Sequence, residues 1–104
     1  MNRIAFKMKL RPGCAQEYEK RHNLIWPALK TVLEEAGIYD YSIFLDEETN
    51  TLFAVQKTKE KAGSQALAQH EIVQQWWKYM SDIMETHADH SPLSTPLKEV
   101  FRME

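Results

Sequence analysis

The 104-residue sequence contains a single cysteine, Cys14, so no intramolecular disulfide can form and the fold has to rest on packing, as expected in a reducing compartment. Glycine is scarce too, with three in the chain, at Gly13, Gly37 and Gly63. That excludes the clustered glycines of a phosphate-cradling or dinucleotide-binding loop. No charge of one sign dominates: thirteen Lys and Arg against fifteen Asp and Glu leave a net charge of -2. A nucleic-acid partner is disfavoured, because phosphate backbones are met by a net basic stripe and the one basic cluster, Lys57 to Lys61, has Glu60 inside it. Long apolar runs are missing as well. Nothing approaches the roughly 20 consecutive apolar residues of a membrane span, and the N-terminus turns polar again at Lys7, too soon for a signal-peptide core. These absences predict a cytoplasmic chain folded as one domain over residues 1–104, with neither a membrane nor a nucleic acid as partner.

Aromatic residues, by contrast, are plentiful: three Trp, four Tyr and four Phe in a chain that is 43% hydrophobic and 27% charged. In so small a domain they fill a core or build a site. Residues 3–10 alternate, with Ile4, Phe6, Met8 and Leu10 on one face, which predicts a half-buried strand ended by Pro12-Gly13. From Cys14 to Ala36 the spacing turns helical, with Tyr18, His22, Ile25, Leu29, Val32 and Ala36 on one stripe and Gly37 as the stop. Pro27 removes one backbone donor inside that helix and predicts a kink just after His22. Residues 38–46 and 51–58 read as a hairpin joined by the polar run Glu47 to Asn50, with Tyr39, Tyr41, Ile43 and Leu45 sharing a face. Ala62 to Glu85 is helix-permissive, split near Gly63 and Gln69-His70-Glu71 into a shorter and a longer piece; residues 86–96 read as a loop, and Leu97 to Met103 as a last strand. The resulting β-α-β-β-α-β order is that of a ferredoxin-like α+β domain, one antiparallel sheet with both helices on one face. Phe44, Val100 and either Phe53 or Val55 would then point away from the helices, which predicts a second copy packed sheet to sheet in a C2 homodimer.

His22 lies on the apolar stripe of the first helix, one turn from Tyr18, and Tyr41 faces inward from the neighbouring strand. Trp76 and Trp77 sit on the other helix over the same sheet face. Adjacent helical residues point about 100° apart, so one Trp is expected in the core and the other at an edge or cavity. With Ile72, Trp76, Met80 and Ile83 as the buried stripe, Trp76 should reach into the cavity and Trp77 close its rim. Aromatic walls, two phenols and an imidazole suit a small polyhydroxylated ligand, whose C–H faces lie on an indole and whose hydroxyls find Tyr and His partners. Other constellations are weaker: His87-x-Asp89-His90 has loose spacing and no accompanying thiolates, so no metal site is assigned there, and Cys14 has no His within one helical turn and reads as a helix-start residue.

Four segments together resemble the L-rhamnose mutarotase family: Lys20-Arg21-His22-Asn23-Leu24-Ile25-Trp26-Pro27 with Tyr18 one turn before His22, Tyr41-x-Ile43-x-Leu45-Asp46, Trp76-Trp77-Lys78-Tyr79-Met80, and Asp89-x-Ser91-Pro92. The resemblance runs from the first strand to Phe101. It implies a cytoplasmic, cofactor-free, dimeric ferredoxin-like α/β barrel that interconverts the α and β anomers of L-rhamnopyranose. It also implies His22 as proton donor, with Tyr18, Tyr41, Trp76 and Trp77 as sugar contacts. Histidines at 87 and 90 stand where the family carries amides, a departure confined to the loop.

The residue types fit such chemistry. Anomerisation needs the ring oxygen protonated while the anomeric hydroxyl loses a proton. An imidazole of unperturbed pKa about 6.5 can give and take that proton, and a placed general acid or base supplies about 10²–10⁴-fold. The second proton-transfer group is open between a water and a carboxylate such as Asp89. Two other readings of the same pocket stand beside this one: a cofactor-free monooxygenase of the same dimeric architecture, whose site should be larger and more apolar, and a non-enzymatic sugar-binding dimer.

Overall fold

A computed structural model describes residues 2–59 and 63–103, and the observations that follow concern those residues. The start of the second helical region at Ala62 and the Glu60-Lys61 part of the basic cluster lie outside them. The chain runs β1 (Asn2–Lys9), α1 (Ala15–Asn23), α2 (Pro27–Glu35), β2 (Ile38–Asp46), β3 (Thr51–Thr58), a 3-10 turn (Ser64–Ala66), α3 (Glu71–Met80) and β4 (Ser94–Leu97). The strands form one antiparallel sheet in the order β2-β3-β1-β4, an α+β arrangement.

Alternation sets the sheet's two faces. Phe6 and Met8 of β1, with Leu52 and Ala54 of β3, are buried in one cluster with Tyr18 and Leu29 from the first two helices and Val73, Trp76, Trp77 and Met80 from α3. On the other face Phe44 stands opposite Phe53, Ser42 opposite Val55 and Leu97 opposite Ala5, and Phe44 remains 64% exposed. The alternation of β2 is interrupted by a bulge between Tyr39 and Ser42, where Asp40 adopts a positive φ of 49°. Ile38 and Tyr41 thereby share the helix-side face, and Tyr39, opposite Lys57, does not.

Three expectations change. Pro27 does more than kink a helix between Cys14 and Ala36: it begins a new one. Its ring disfavours a helical conformation at Trp26, which is extended (φ -62°, ψ 128°), and a missing N–H costs nothing at the first helical position. Leu24 to Trp26 thus form a corner, with Leu24 N–H bonded back to the Lys20 carbonyl and Ile25 N–H to that of His22. Gly37, at φ 84°, stops α2 as expected. The last strand falls at Ser94–Leu97, taking its first three residues from the expected loop and overlapping the expected Leu97–Met103 segment only at Leu97. Pro96 argued against a strand there, yet β4 is an edge strand paired only with β1, where a proline without N–H is tolerated. Val100 consequently lies beyond the sheet, 87% exposed, and is not part of the sheet's second face. The second helical region does split into a short and a long piece, although α3 ends at Met80, before Glu85.

Candidate functional site

Between the helices and the β2 side of the sheet lies a cavity of about 990 Å³ that opens to solvent. Tyr18 and His22 enter it from α1, Tyr41 from β2, Trp76 and Trp77 from α3, and Ser64 from the 3-10 turn. All five candidate residues therefore meet in one place. The two on α1 do so because a spacing of four residues stacks their side chains on one helix face. Their rings lie 4.3 Å apart between centroids and 29° from parallel. Trp76 meets the imidazole edge-on, with centroids 5.5 Å apart at 89°.

The hydrogen bonding of His22 fixes its tautomer. Nδ1 lies 3.0 Å from the Tyr18 carbonyl oxygen, which can only accept, so Nδ1 carries the proton and donates. In the neutral ring Nε2 is left with its lone pair. Burial lowers the imidazole pKa below its usual 6.5, opposed by that same Nδ1 bond. Near neutral pH the ring is therefore uncharged, with a base at Nε2. Burial also pushes the Tyr18 phenol far above its usual value, helped by the nearby Tyr41, and raises the Tyr41 phenol despite a hydrogen bond to Ser64. Both phenols stay protonated at physiological pH.

The two indoles do not divide as core and rim. Trp76 is 7% and Trp77 8% exposed, and both line the cavity. The buried stripe of α3 is Val73, Trp76, Trp77 and Met80, an i, i+3, i+4, i+7 set whose midline passes between the indoles. Ile72 is only half-buried and Ile83 lies beyond the helix, so the expected stripe was centred too close to Trp76.

Asp89 is not at the cavity. It accepts from the Ser91 backbone N–H at 3.0 Å and bonds the Ser91 hydroxyl in the exposed turn that also holds His87 and His90. The carboxylates that do line the cavity are Glu19, Glu34, Asp40 and Glu47. Among the described residues no group of three His, Cys, Asp or Glu side chains could hold a metal ion. Cys14 caps the start of α1, with Sγ 3.7 Å from the Pro12 carbonyl oxygen.

Several supporting residues escaped sequence reasoning. Trp26, at the corner Pro27 creates, stacks on Tyr79 and meets Trp76 edge-on, centroids 5.1 Å apart. Arg21 donates to Glu17, to the Tyr79 carbonyl and to Asp82, and its guanidinium sits 4.4 Å above the Tyr79 ring. Gln56 is fully buried at an inward position of β3. A polar residue on the core side of a strand was the signal that could have found it.

Comparison with known proteins places the chain in a family. A family model described as L-rhamnose mutarotase matches residues 3–103. The L-rhamnose mutarotase of Bacteroides thetaiotaomicron is 60% identical over 104 residues, spanning 100% of both chains, and that of Sinorhizobium fredii is 53% identical over 99% of each. The crystal structure of an L-rhamnose mutarotase from Formosa agariphila superposes with a TM-score of 0.91 at 53% identity, covering 100% of both chains. The chain belongs to the L-rhamnose mutarotase family.

Proposed function

We propose that this cavity interconverts the α and β anomers of L-rhamnopyranose, with His22 carrying the proton and Tyr18, Tyr41, Trp76 and Trp77 holding the sugar. The observation that carries the reading is the Nδ1 bond of His22 to the Tyr18 carbonyl, which leaves Nε2 as a base inside an aromatic-walled cavity. Nε2 takes the proton of the anomeric hydroxyl while the ring oxygen gains one from water, and the bond from the anomeric carbon to the ring oxygen breaks. The open-chain aldehyde turns about C1–C2. The ring hydroxyl then attacks the other face, returns its proton to water, and the imidazolium donates its proton to the new anomeric oxygen. Acid and base roles fall to one imidazole because the reaction runs in both directions. Only protons pass between protein and sugar, so the reaction requires no cofactor.

The same reading treats residues 1–104 as a single ferredoxin-like domain, supported by the strand order β2-β3-β1-β4 with the helices on one face. It also pairs two copies through the other face, where Phe44, Phe53, Val55 and Leu97 form an apolar surface, as a dimeric α/β barrel. Val100 belongs to the tail beyond that face. The lone cysteine fits a cytoplasmic setting, and no helix among the described residues is long and apolar enough to cross a membrane.

NMR saturation transfer between the anomer signals of L-rhamnose tests the function. Exchange accelerated by wild-type protein and abolished by His22→Ala supports it. Binding of the sugar without accelerated exchange would instead identify a sugar-binding module.

A further inference from the structure

The corner before Pro27 decides which ring lies beside His22. In an unbroken helix residue 26 would follow His22 by one turn on the same face, and its ring would lie against the imidazole as the imidazole lies against Tyr18. The break prevents this. Trp26 is extended, and although Ile25 and Trp76 line the cavity, Trp26 does not.

Turned out of the cavity, Trp26 meets the indole of Trp76 instead, with centroids 5.1 Å apart and planes at 86°. It also stacks on Tyr79 at 5.5 Å and 28°, and Tyr79 tilts against Trp76 at 5.6 Å and 58°. The three rings thus touch pairwise, and of the three only Trp76 reaches the cavity. Arg21 closes the cluster, its guanidinium 4.4 Å from the centre of the Tyr79 ring and donating to the Tyr79 carbonyl at 2.8 Å. These contacts form a circuit. The Ile25 N–H donates to the His22 carbonyl at 3.2 Å, Trp26 touches Trp76, and Trp76 returns to the His22 ring at 5.5 Å and 89°. Aromatic pairs favour particular offsets and angles, so a second and third ring against one indole restrict how it can turn. Burial alone does not account for the cluster, because Tyr79 is 43% exposed and still carries a stack and a guanidinium.

We propose that Trp26, backed by Tyr79, is a positioning residue that holds the Trp76 indole at the angle at which it meets His22, without touching the sugar itself. Its effect on rate rests on the mutarotase reading of the cavity. Its effect on the imidazole rests on the ring cluster alone.

The test reads the His22 ring protons by NMR, together with kcat and KM for anomer exchange by saturation transfer. The ring current of an indole at 5.5 Å shifts the His22 signals, and His87 and His90, in the turn away from the cavity, serve as internal references. Trp26→Leu should move the His22 signals, leave those of the references in place, and lower kcat/KM about two- to tenfold, the worth of one aromatic pair. Trp26→Phe keeps a ring against Trp76 and should retain most of both. In a Trp76→Leu background there is no indole to hold, so Trp26→Leu should lower the rate no further. Tyr79→Leu removes a half-exposed ring outside the core and should move the His22 signals in the same direction, which tests the backing where Trp26→Leu does not fold. A ring that only stabilised the fold would leave both readouts unchanged in folded protein. Unmoved His22 signals with wild-type kcat/KM in folded Trp26→Leu, or unmoved signals in Tyr79→Leu where Trp26→Leu does not fold, overturn the proposal. So do losses from Trp26→Leu and Trp76→Leu that add in full. Wild-type protein that exchanges no anomers overturns the mutarotase reading, and the His22 signals then decide the positioning by themselves.

Discussion

Arg21 and Asp82 form a two-point pair, Nη1 to Oδ1 at 2.8 Å and Nη2 to Oδ2 at 3.2 Å, which ties the end of α1 to the turn after α3. Arg21 precedes His22, and the Tyr79 carbonyl it also holds lies three residues after Trp76. The clamp thus joins the same two elements that carry the imidazole and the indole, which meet at 5.5 Å. Its two ends are unequal. The Arg21 side chain is 10% exposed and Asp82 66%, so the ion pair itself is screened and worth under about 1 kcal/mol. Asp82→Asn should hardly shift the unfolding midpoint. Arg21→Ala leaves the Tyr79 carbonyl and Glu17 without their donor and should cost about 1–3 kcal/mol, measured by urea denaturation. Its loss of activity should exceed that of Asp82→Asn.

Removing the imidazole should lower anomer exchange about 10²–10⁴-fold in a folded His22→Ala protein, the span of one general acid or base. Exchange at the wild-type rate in that variant would refute the role of His22. The buried ring also makes a pH prediction. Its pKa is lowered in the folded state, so between that value and the unfolded 6.5 the unfolded chain binds the extra proton. The contribution of His22 to stability is thus intact above about 6.5, declines as pH falls below it, and levels off under the folded pKa. His22→Asn should lack this component. Denaturation curves of both proteins at pH 5 and pH 8 measure it.

Equal burial predicts equal consequences for the two indoles. Trp76→Ala and Trp77→Ala should each cost about 3–5 kcal/mol, since both rings belong to the core as well as the cavity. L-rhamnose should change the intrinsic emission of the wild type. If saturating sugar leaves that emission unchanged, the indoles do not contact it.

Phe44 separates assembly from folding. At 64% exposed it contributes little within one copy, whereas in the proposed dimer it would be covered. Phe44→Asp should therefore keep the melting behaviour of the isolated fold while sedimentation falls from about twice 12.2 kDa to the single-chain mass. A wild-type monomer at micromolar concentration would contradict the assembly.

Legibility along the chain followed the range of the interactions involved. The first three strands declared themselves by alternation, and Tyr18 met His22 because helix geometry is local. Tyr41 could be assigned to the right face although the bulge beside it left no sequence mark. Pro27 was visible, but whether it bends a helix or starts one depends on what Trp26 packs against, and that partner is Tyr79, far along the chain. The last strand was misplaced because residues 98–103 alternate in sequence yet take no strand conformation, whereas Ser94–Leu97 alternates weakly and pairs with β1. The Gln56–Ser64 contact joins residues eight apart in the chain, a closure that spacing does not encode.

The bulge in β2 can be regarded as a matter of odd and even. Two residues, Asp40 and Tyr41, occupy the interval between the pairs Tyr39–Lys57 and Ser42–Val55, where β3 has only Gln56. Deleting Asp40 would return the strand to a one-to-one count, with Ile38 and Tyr41 still towards the helices and Tyr39 still away. The local bend and the 3.2 Å ion pair of Asp40 with Lys57 would go. The extra residue thus governs the angle at which Tyr41 approaches the cavity and not the face it emerges from, so a one-residue deletion would re-aim the phenol without replacing it.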